Sequence, residues 1–241
     1  MMKAKVAIVT GASSGIGLAL VRSLIERRWN VVAVARGAST KGTLSPADNL
    51  ALIDGDVSHP STAERAVETA RRRFGAVDLL VNNAGIFSAK PFTEYSPKDF
   101  DELVSTNVAG FWSMSRAVVP AMIEQRRGHI VSVSTSLVAQ PIGGVPAAVP
   151  IMTKGAIEAG SRALAIELAP HAIRVNVVSP GIIDTPMHNP DHHKMLATLS
   201  PAGRIGSVSD ATDAILFLDG ASFVSGEVVH VDGGAHAGRW S

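Results

Sequence analysis

The stretch Thr10-Gly11-Ala12-Ser13-Ser14-Gly15-Ile16-Gly17 decides how the rest of this chain is read. It follows the apolar run Val6-Ala7-Ile8-Val9 and opens a segment with apolar residues at Leu18, Leu20, Val21, Leu24 and Ile25. A buried strand, a glycine-rich turn and a helix in direct succession form a dinucleotide-binding unit. Gly11 permits the tight turn, Gly15 lets backbone approach a pyrophosphate, and Gly17 lets the helix pack close to the strand. The helix N-terminus offers unpaired N–H groups and a positive dipole to the phosphates.

Beyond that turn, short β-branched runs alternate with helical patterns. Strands are expected at Val6–Val9, Val31–Ala35, Leu79–Asn82, Ile130–Ser134, Ile173–Val178 and Val228–Val231, with one more ending before Asp56. Helices are expected over roughly 17–28, 61–74, 97–126, 151–169 and 209–219. Ser61 with Glu64 reads as a capping box, and Ser96-Pro97 as an N-cap followed by proline. Ser209-Asp210 introduces another helix, and Pro150 reads as a helix opener. The alternation predicts α/β architecture: one Rossmann-like, doubly wound parallel sheet of about seven strands flanked by helices. That sheet accounts for nearly all of residues 1–241, leaving no room for a separate substrate domain.

Composition excludes several classes. Of 241 residues 46% are hydrophobic, ample for one large core, and the net charge is only +1. Arg71-Arg72-Arg73 and Arg126-Arg127 are too short to form a nucleic-acid surface. Cysteine is absent, which removes disulfide and thiolate chemistry and fits a reducing compartment. No apolar run approaches the ~18 residues of a membrane span, and Val6–Val9 is too short for a signal-peptide core. The expected location is cytoplasmic.

The nucleotide's identity is written at the end of the second strand, Ala35-Arg36, about twenty residues past the glycines. A carboxylate there would accept a hydrogen bond from the ribose 2′-hydroxyl of NAD. Ala35 leaves the space uncharged, and Arg36 offers a guanidinium to a 2′-phosphate. NADP(H) is favoured over NAD(H).

Taken together, the motifs resemble the short-chain dehydrogenase/reductase family along the whole chain. Thr10 to Gly17 fits the family pattern T-G-x-x-x-G-x-G, which implies cofactor contacts from Gly11, Ser13, Ser14, Gly15, Ile16 and Gly17. Asp56-Val57 is similar to the family's adenine contact, and Asn82-Asn83-Ala84-Gly85 to the segment that supports the cofactor. Asn107 matches the asparagine that holds a proton-relay water. Pro180-Gly181 with Ile183 and Thr185 matches the turn beside the nicotinamide carboxamide, and Val231-Asp232-Gly233-Gly234 also fits.

The resemblance implies a Ser–Tyr–Lys set in which tyrosine exchanges a proton with the substrate oxygen and lysine holds the nicotinamide ribose and lowers the tyrosine pKa. Here the Y-x-x-x-K pattern reads Pro150-Ile151-Met152-Thr153-Lys154. The lysine is present, but the chain's one tyrosine is Tyr95, upstream of Asn107 and better suited to packing. Thr135 falls at the serine position, with Ser136 as the alternative; either keeps a hydroxyl. The candidate catalytic residues are therefore Asn107, Thr135, Ser136 and Lys154.

Two functions remain open: a carbonyl reductase or alcohol dehydrogenase with an atypical proton path, or a catalytically silent NADP-binding protein. The segment 182–206 fits no strand or full helix and reads as a substrate-side lid. Its His188, His192 and His193 are candidate proton carriers. They do not read as metal ligands, because Pro190 breaks the helical face between His188 and His192. Small residues in 151–169, with the helix of 97–126 and the last strand, imply by family resemblance a homotetramer, or alternatively a homodimer.

Overall fold

The computed structural model describes residues 3–238. Seven strands form one parallel sheet: β1 (Val6–Thr10), β2 (Asn30–Ala35), β3 (Leu50–Asp54), β4 (Leu79–Asn82), β5 (Gly128–Val133), β6 (Ile173–Pro180) and β7 (Val228–Val231). Their spatial order is β3-β2-β1-β4-β5-β6-β7. Chain order reverses between β1 and β4, and ligands bind at the carboxyl ends of strands beside such a switch point. The third strand, marked in the sequence only by the Asp56 that follows it, is β3.

Strand residues alternate between two cores. Val6, Ile8, Val32, Val34, Leu80 and Ile130 face one side and are fully buried. Ala7, Val9, Val31, Ala33, Leu79 and Val131 face the other, equally buried. Covering both faces explains why these strands read as continuous apolar runs. The principal helices are α1 (Gly15–Glu26), α2 (Pro60–Thr69), α3 (Pro97–Leu103), α4 (Gly110–Gln125) and α5 (Ala148–Leu168), followed by the short α6 (His193–Ala197) and then α7 (Val208–Gly220).

Helix ends depart from expectation in instructive ways. The Ser96 box forms, with Asp99 as its third-position partner. The Ser61–Glu64 box does not: α2 starts at Pro60 with His59 as N-cap, which leaves Ser61 inside the helix. Helix α7 is capped two residues before Ser209, by Ser207 with Asp210. Helix α5 starts at Ala148, so Pro150 is its third residue rather than its first. The first amide of α5 to bond back is that of Ile151, to the Ala147 carbonyl at 3.0 Å. Pro150 thus sits where a helix needs no N–H. The expected helix over 97–126 is interrupted by a π-helical stretch, Val104–Ala109. Segment 182–206 holds more structure than expected: a bridge from Ile183 to Gly206, a 3-10 turn at Pro190–His192, and α6.

Candidate active site

The carboxyl ends of the strands open into a cleft of about 990 Å³. Its floor is the β1–α1 turn. Gly11 and Gly15 adopt φ of +65° and +51°, a region that suits glycine. A Cβ on Gly17 would lie 2.4 Å from the Gly11 carbonyl oxygen, so only glycine fits there. Ser14 caps α1 in an extended conformation with no side-chain cap bond, and no acidic residue occupies the first turn. The N–H groups of that turn thus keep their capacity for an anion.

Thr10 ties the turn to the switch point. Its hydroxyl donates to Val81 O at 3.2 Å and accepts the backbone N–H groups of Asn83 and Ala84, each at 3.0 Å. The Asn83 side-chain amide donates to the Thr10 carbonyl at 2.9 Å. These bonds fix Asn83, Ala84 and Gly85 against the glycines, and all line the cleft.

At one end of the cleft stand Arg36, Lys41, Asp56 and Val57. Lys41 Nζ donates to Ser13 Oγ at 3.4 Å, which puts a second cation beside the turn. Burial opposes ionisation of Asp56, but the Ser58 N–H and hydroxyl and the charge of Arg36 outweigh it and hold its carboxyl below the ordinary value. The sequence reading missed Lys41, because a lysine in a polar loop carries no pattern of its own.

Lys154 extends from the buried face of α5 to the cleft, where its ammonium donates to Val133 O at 2.8 Å. Burial pulls its pKa down from 10.5 to about 8. Thr135, Ser136, Pro180, Gly181, Ile183 and Thr185 also line the cleft. The Thr135 hydroxyl accepts from the Leu137 N–H at 3.4 Å and so caps the turn Ser136–Val138.

One expected participant, Asn107, does not line the cleft. Asn107 is buried behind the wall: its Oδ1 accepts from Ile86 N at 2.9 Å, and its Nδ2 donates to Ile86 O and Thr153 Oγ1, both at 3.0 Å. Pro150 is likewise buried, and its carbonyl accepts the Thr153 hydroxyl at 2.8 Å. Tyr95 donates to Ser88 O at 2.6 Å, in a packing role outside the cleft. Of the three segment histidines only His188 lines the cleft, with Nδ1 at 2.9 Å from Ile183 O. Among the described residues no group of three or more histidine, aspartate and glutamate side chains could hold a metal.

Two other histidines do line the cleft, His230 and His236, and the sequence reading passed over both. Their rings stack at 3.9 Å with an interplanar angle of 12°. Asp232, which the motif did include, accepts from His236.

Comparison with known proteins agrees with this architecture. The family described as Enoyl-(Acyl carrier protein) reductase matches residues 11–236. The 3-oxoacyl-[acyl-carrier-protein] reductase of Salmonella typhimurium is 34% identical over 240 residues, covering 96% of this chain and 97% of that protein. The 3alpha-hydroxysteroid dehydrogenase of Mediterraneibacter gnavus is 40% identical over 256 residues, covering 98% and 99%. Among solved structures, 3-ketoacyl-(acyl-carrier-protein) reductase from Brucella melitensis complexed with NADH matches with a TM-score of 0.90 at 32% identity, covering 97% of this chain and 99% of that one. Fold and site define a nicotinamide-type oxidoreductase architecture. The chain belongs to the family so described, within the short-chain dehydrogenase/reductases. No helix among the described residues is long and apolar enough to cross a membrane.

Proposed function

We propose that this chain is an NADP(H)-dependent oxidoreductase acting on a carbonyl or alcohol, with a proton path that does not use the family's tyrosine. One observation carries the reading: a single cleft joins a glycine cradle with no room for a Cβ to a buried, desolvated lysine. When bound, the cofactor supplies hydride from its nicotinamide ring. The α1 N-terminus and the turn Gly11 to Gly17 hold the pyrophosphate. Arg36 and Lys41 take the 2′-phosphate, Asp56 and Val57 the adenine, and Lys154 the nicotinamide ribose. Asn83, Ala84 and Gly85 support the platform, while Pro180, Gly181, Ile183 and Thr185 flank the nicotinamide. Thr135 or Ser136 orients the substrate oxygen through its hydroxyl.

Residues 182–206 act as the lid within one domain spanning 1–241. Ile142, Val145, Met187, Leu196 and Leu199 give the substrate side apolar walls, which suit a carbonyl on a sizeable apolar body. The oxoacyl and hydroxysteroid enzymes related to this chain make thioesters and steroids the first substrates to test. On α5, Met152 and Ile166 are exposed along with Ala156, Ala159 and Ala163. This strip supports assembly into a homotetramer, with a homodimer as the alternative, in the cytoplasm.

The second reading, a silent NADP-binding protein, is favoured by Pro150, which holds no proton to transfer and stands four residues before Lys154. One experiment separates the two: NADPH binding and turnover across a carbonyl panel, in wild type and in Pro150→Tyr. Wild-type turnover supports the enzyme. Tight binding with turnover only in Pro150→Tyr supports the silent protein, and failure to bind either nicotinamide cofactor overturns both.

A further inference from the structure

The loop after β7 builds a dyad of carboxylate and imidazole on the cleft wall. Asp232 is almost fully buried and accepts the backbone N–H groups of Gly234 at 3.0 Å and His236 at 2.8 Å. His236 Nδ1 lies 3.0 Å from both of its oxygens. A carboxylate facing Nδ1 fixes the proton there, so Nε2 is the nitrogen left to exchange a proton with a ligand. The His230 ring, stacked at 3.9 Å, sets the plane of the imidazole. Gly233 and Gly234, at φ of +65° and +91°, let the chain fold back so that the turn Ala235–Ala237 packs against the turn Ser136–Val138. His236 is thereby brought to the segment carrying Thr135 and Ser136. Its side chain remains 36% exposed, open to solvent protons.

The other proton carriers on the cleft are placed less well. Lys154 spends a hydrogen bond on Val133 O, on the side assigned to the ribose. His188 turns Nδ1 to a carbonyl oxygen and has no carboxylate beside it in the hydrogen-bond pattern.

We infer that His236, oriented by Asp232, is the catalytic acid–base that stands in for the family's tyrosine. The inference rests on the enzyme reading above. In reduction, NADPH when bound would supply hydride to the carbonyl carbon, forming a C–H bond and being itself oxidised to NADP+. The C=O π pair moves to oxygen, which takes the proton on His236 Nε2. The neutral imidazole then recovers a proton from solvent, and alcohol oxidation runs the same steps backwards. Asp232 is a positioning residue.

Reduction needs the protonated ring, so its rate falls as pH rises. The titratable groups around the ring are Asp232 and, at its stacked face, His230, beyond which lie Glu158 and Glu227. Burial, then the charge on His236, holds the His230 pKa below its ordinary value.

The test uses the full chain, with NADPH binding and single-turnover reduction of a 3-oxoacyl thioester and a 3-oxosteroid between pH 5 and 9. His236→Gln is expected to bind NADPH as wild type does, lose about 10²–10⁴ of the rate, and lose the falling limb of the pH profile. His236→Ala is expected to recover rate on addition of free imidazole, an effect that a folding defect would not show. Unchanged rate and pH profile in His236→Gln overturn the inference and leave the enzyme reading standing. Wild type that binds NADPH without turnover overturns the inference and the enzyme reading together, and failure to bind overturns the cofactor assignment as well.

Discussion

Lys154 Nζ lies 2.8 Å from the carbonyl oxygen of Val133, an ammonium on the buried face of α5 held at the end of a central strand. Desolvation there lowers its pKa from 10.5 to about 8, equivalent to roughly 3 kcal/mol of charging cost. Between those values the unfolded chain binds more protons than the folded one, so this group makes stability rise with pH across that window. The difference in melting temperature between wild type and Lys154→Met should therefore change between pH 8 and 10.5. Calorimetry would check it, and a constant difference would show that the ammonium is solvated. The same variant should bind NADPH at least 10-fold more weakly.

Arg36 and Lys41 bring two cations to one end of the cleft, beside Ser13. A charge-assisted bond to phosphate contributes about 1.5–3 kcal/mol, or roughly 10- to 100-fold in affinity. Arg36→Ala should weaken NADPH binding by that factor, Lys41→Ala by less, and neither should change NADH binding by more than about twofold. Fluorescence titration with both cofactors checks this, and parallel losses for the two would remove the 2′-phosphate assignment.

Gly17 has the tightest surroundings in the glycine turn. An added methyl would meet the Gly11 carbonyl at 2.4 Å and the Asn83 amide at 2.5 Å. Gly17→Ala should cost about 1–3 kcal/mol through overpacking, lowering the melting temperature by about 3–10 °C. It should also disturb the Asn83 bond to Thr10, so NADPH binding should weaken with it. A melting temperature equal to wild type would show that the turn relaxes freely.

Near the amino end of β5, away from the cleft, His129 is buried and its Nε2 faces two donors, Arg174 Nη1 at 3.3 Å and Asn176 Nδ2 at 3.0 Å. Asn176 is held in that orientation, since its Oδ1 accepts from Glu227 N and its Nδ2 donates to Val224 O. Burial, reinforced by the charge of Arg174 and opposed by Asp219, depresses the His129 pKa below 6.5. The unfolded chain then binds more protons below pH 6.5, so this contribution is complete above that value and lost as pH falls. His129→Gln keeps an acceptor for both donors and should flatten the fall in melting temperature between pH 6.5 and 5. An equally steep fall in the variant would assign the acid sensitivity elsewhere.

The sheet and the glycine turn were legible because both are local: apolar runs such as Val6–Val9 are buried on two faces, and the turn's spacing is contiguous. Helix caps were less so, since Ser61 and Ser209 compete with His59-Pro60 and Ser207, and packing decides between them. The π-helical stretch around Asn107 depends on how α3 and α4 meet, which no periodicity records. Lys41 and His236 reach the cleft only because loops fold back on it, and the distance from Asp232 to His236 has meaning only once Gly233 and Gly234 have turned the chain.

Pro150 lies ahead of the first amide that α5 uses, so side chains can be exchanged there without breaking a helical bond. The helix backbone therefore sets no requirement at this position, and because it is buried only packing constrains what stands there. A side chain with a titratable group could stand there with every hydrogen bond of α5 intact, and the glycine cradle that holds the cofactor lies on a different element. Ligand-capture assays would then report on the cradle alone, and only a measurement of product formed can tell a chain with a proton donor beside Lys154 from one without.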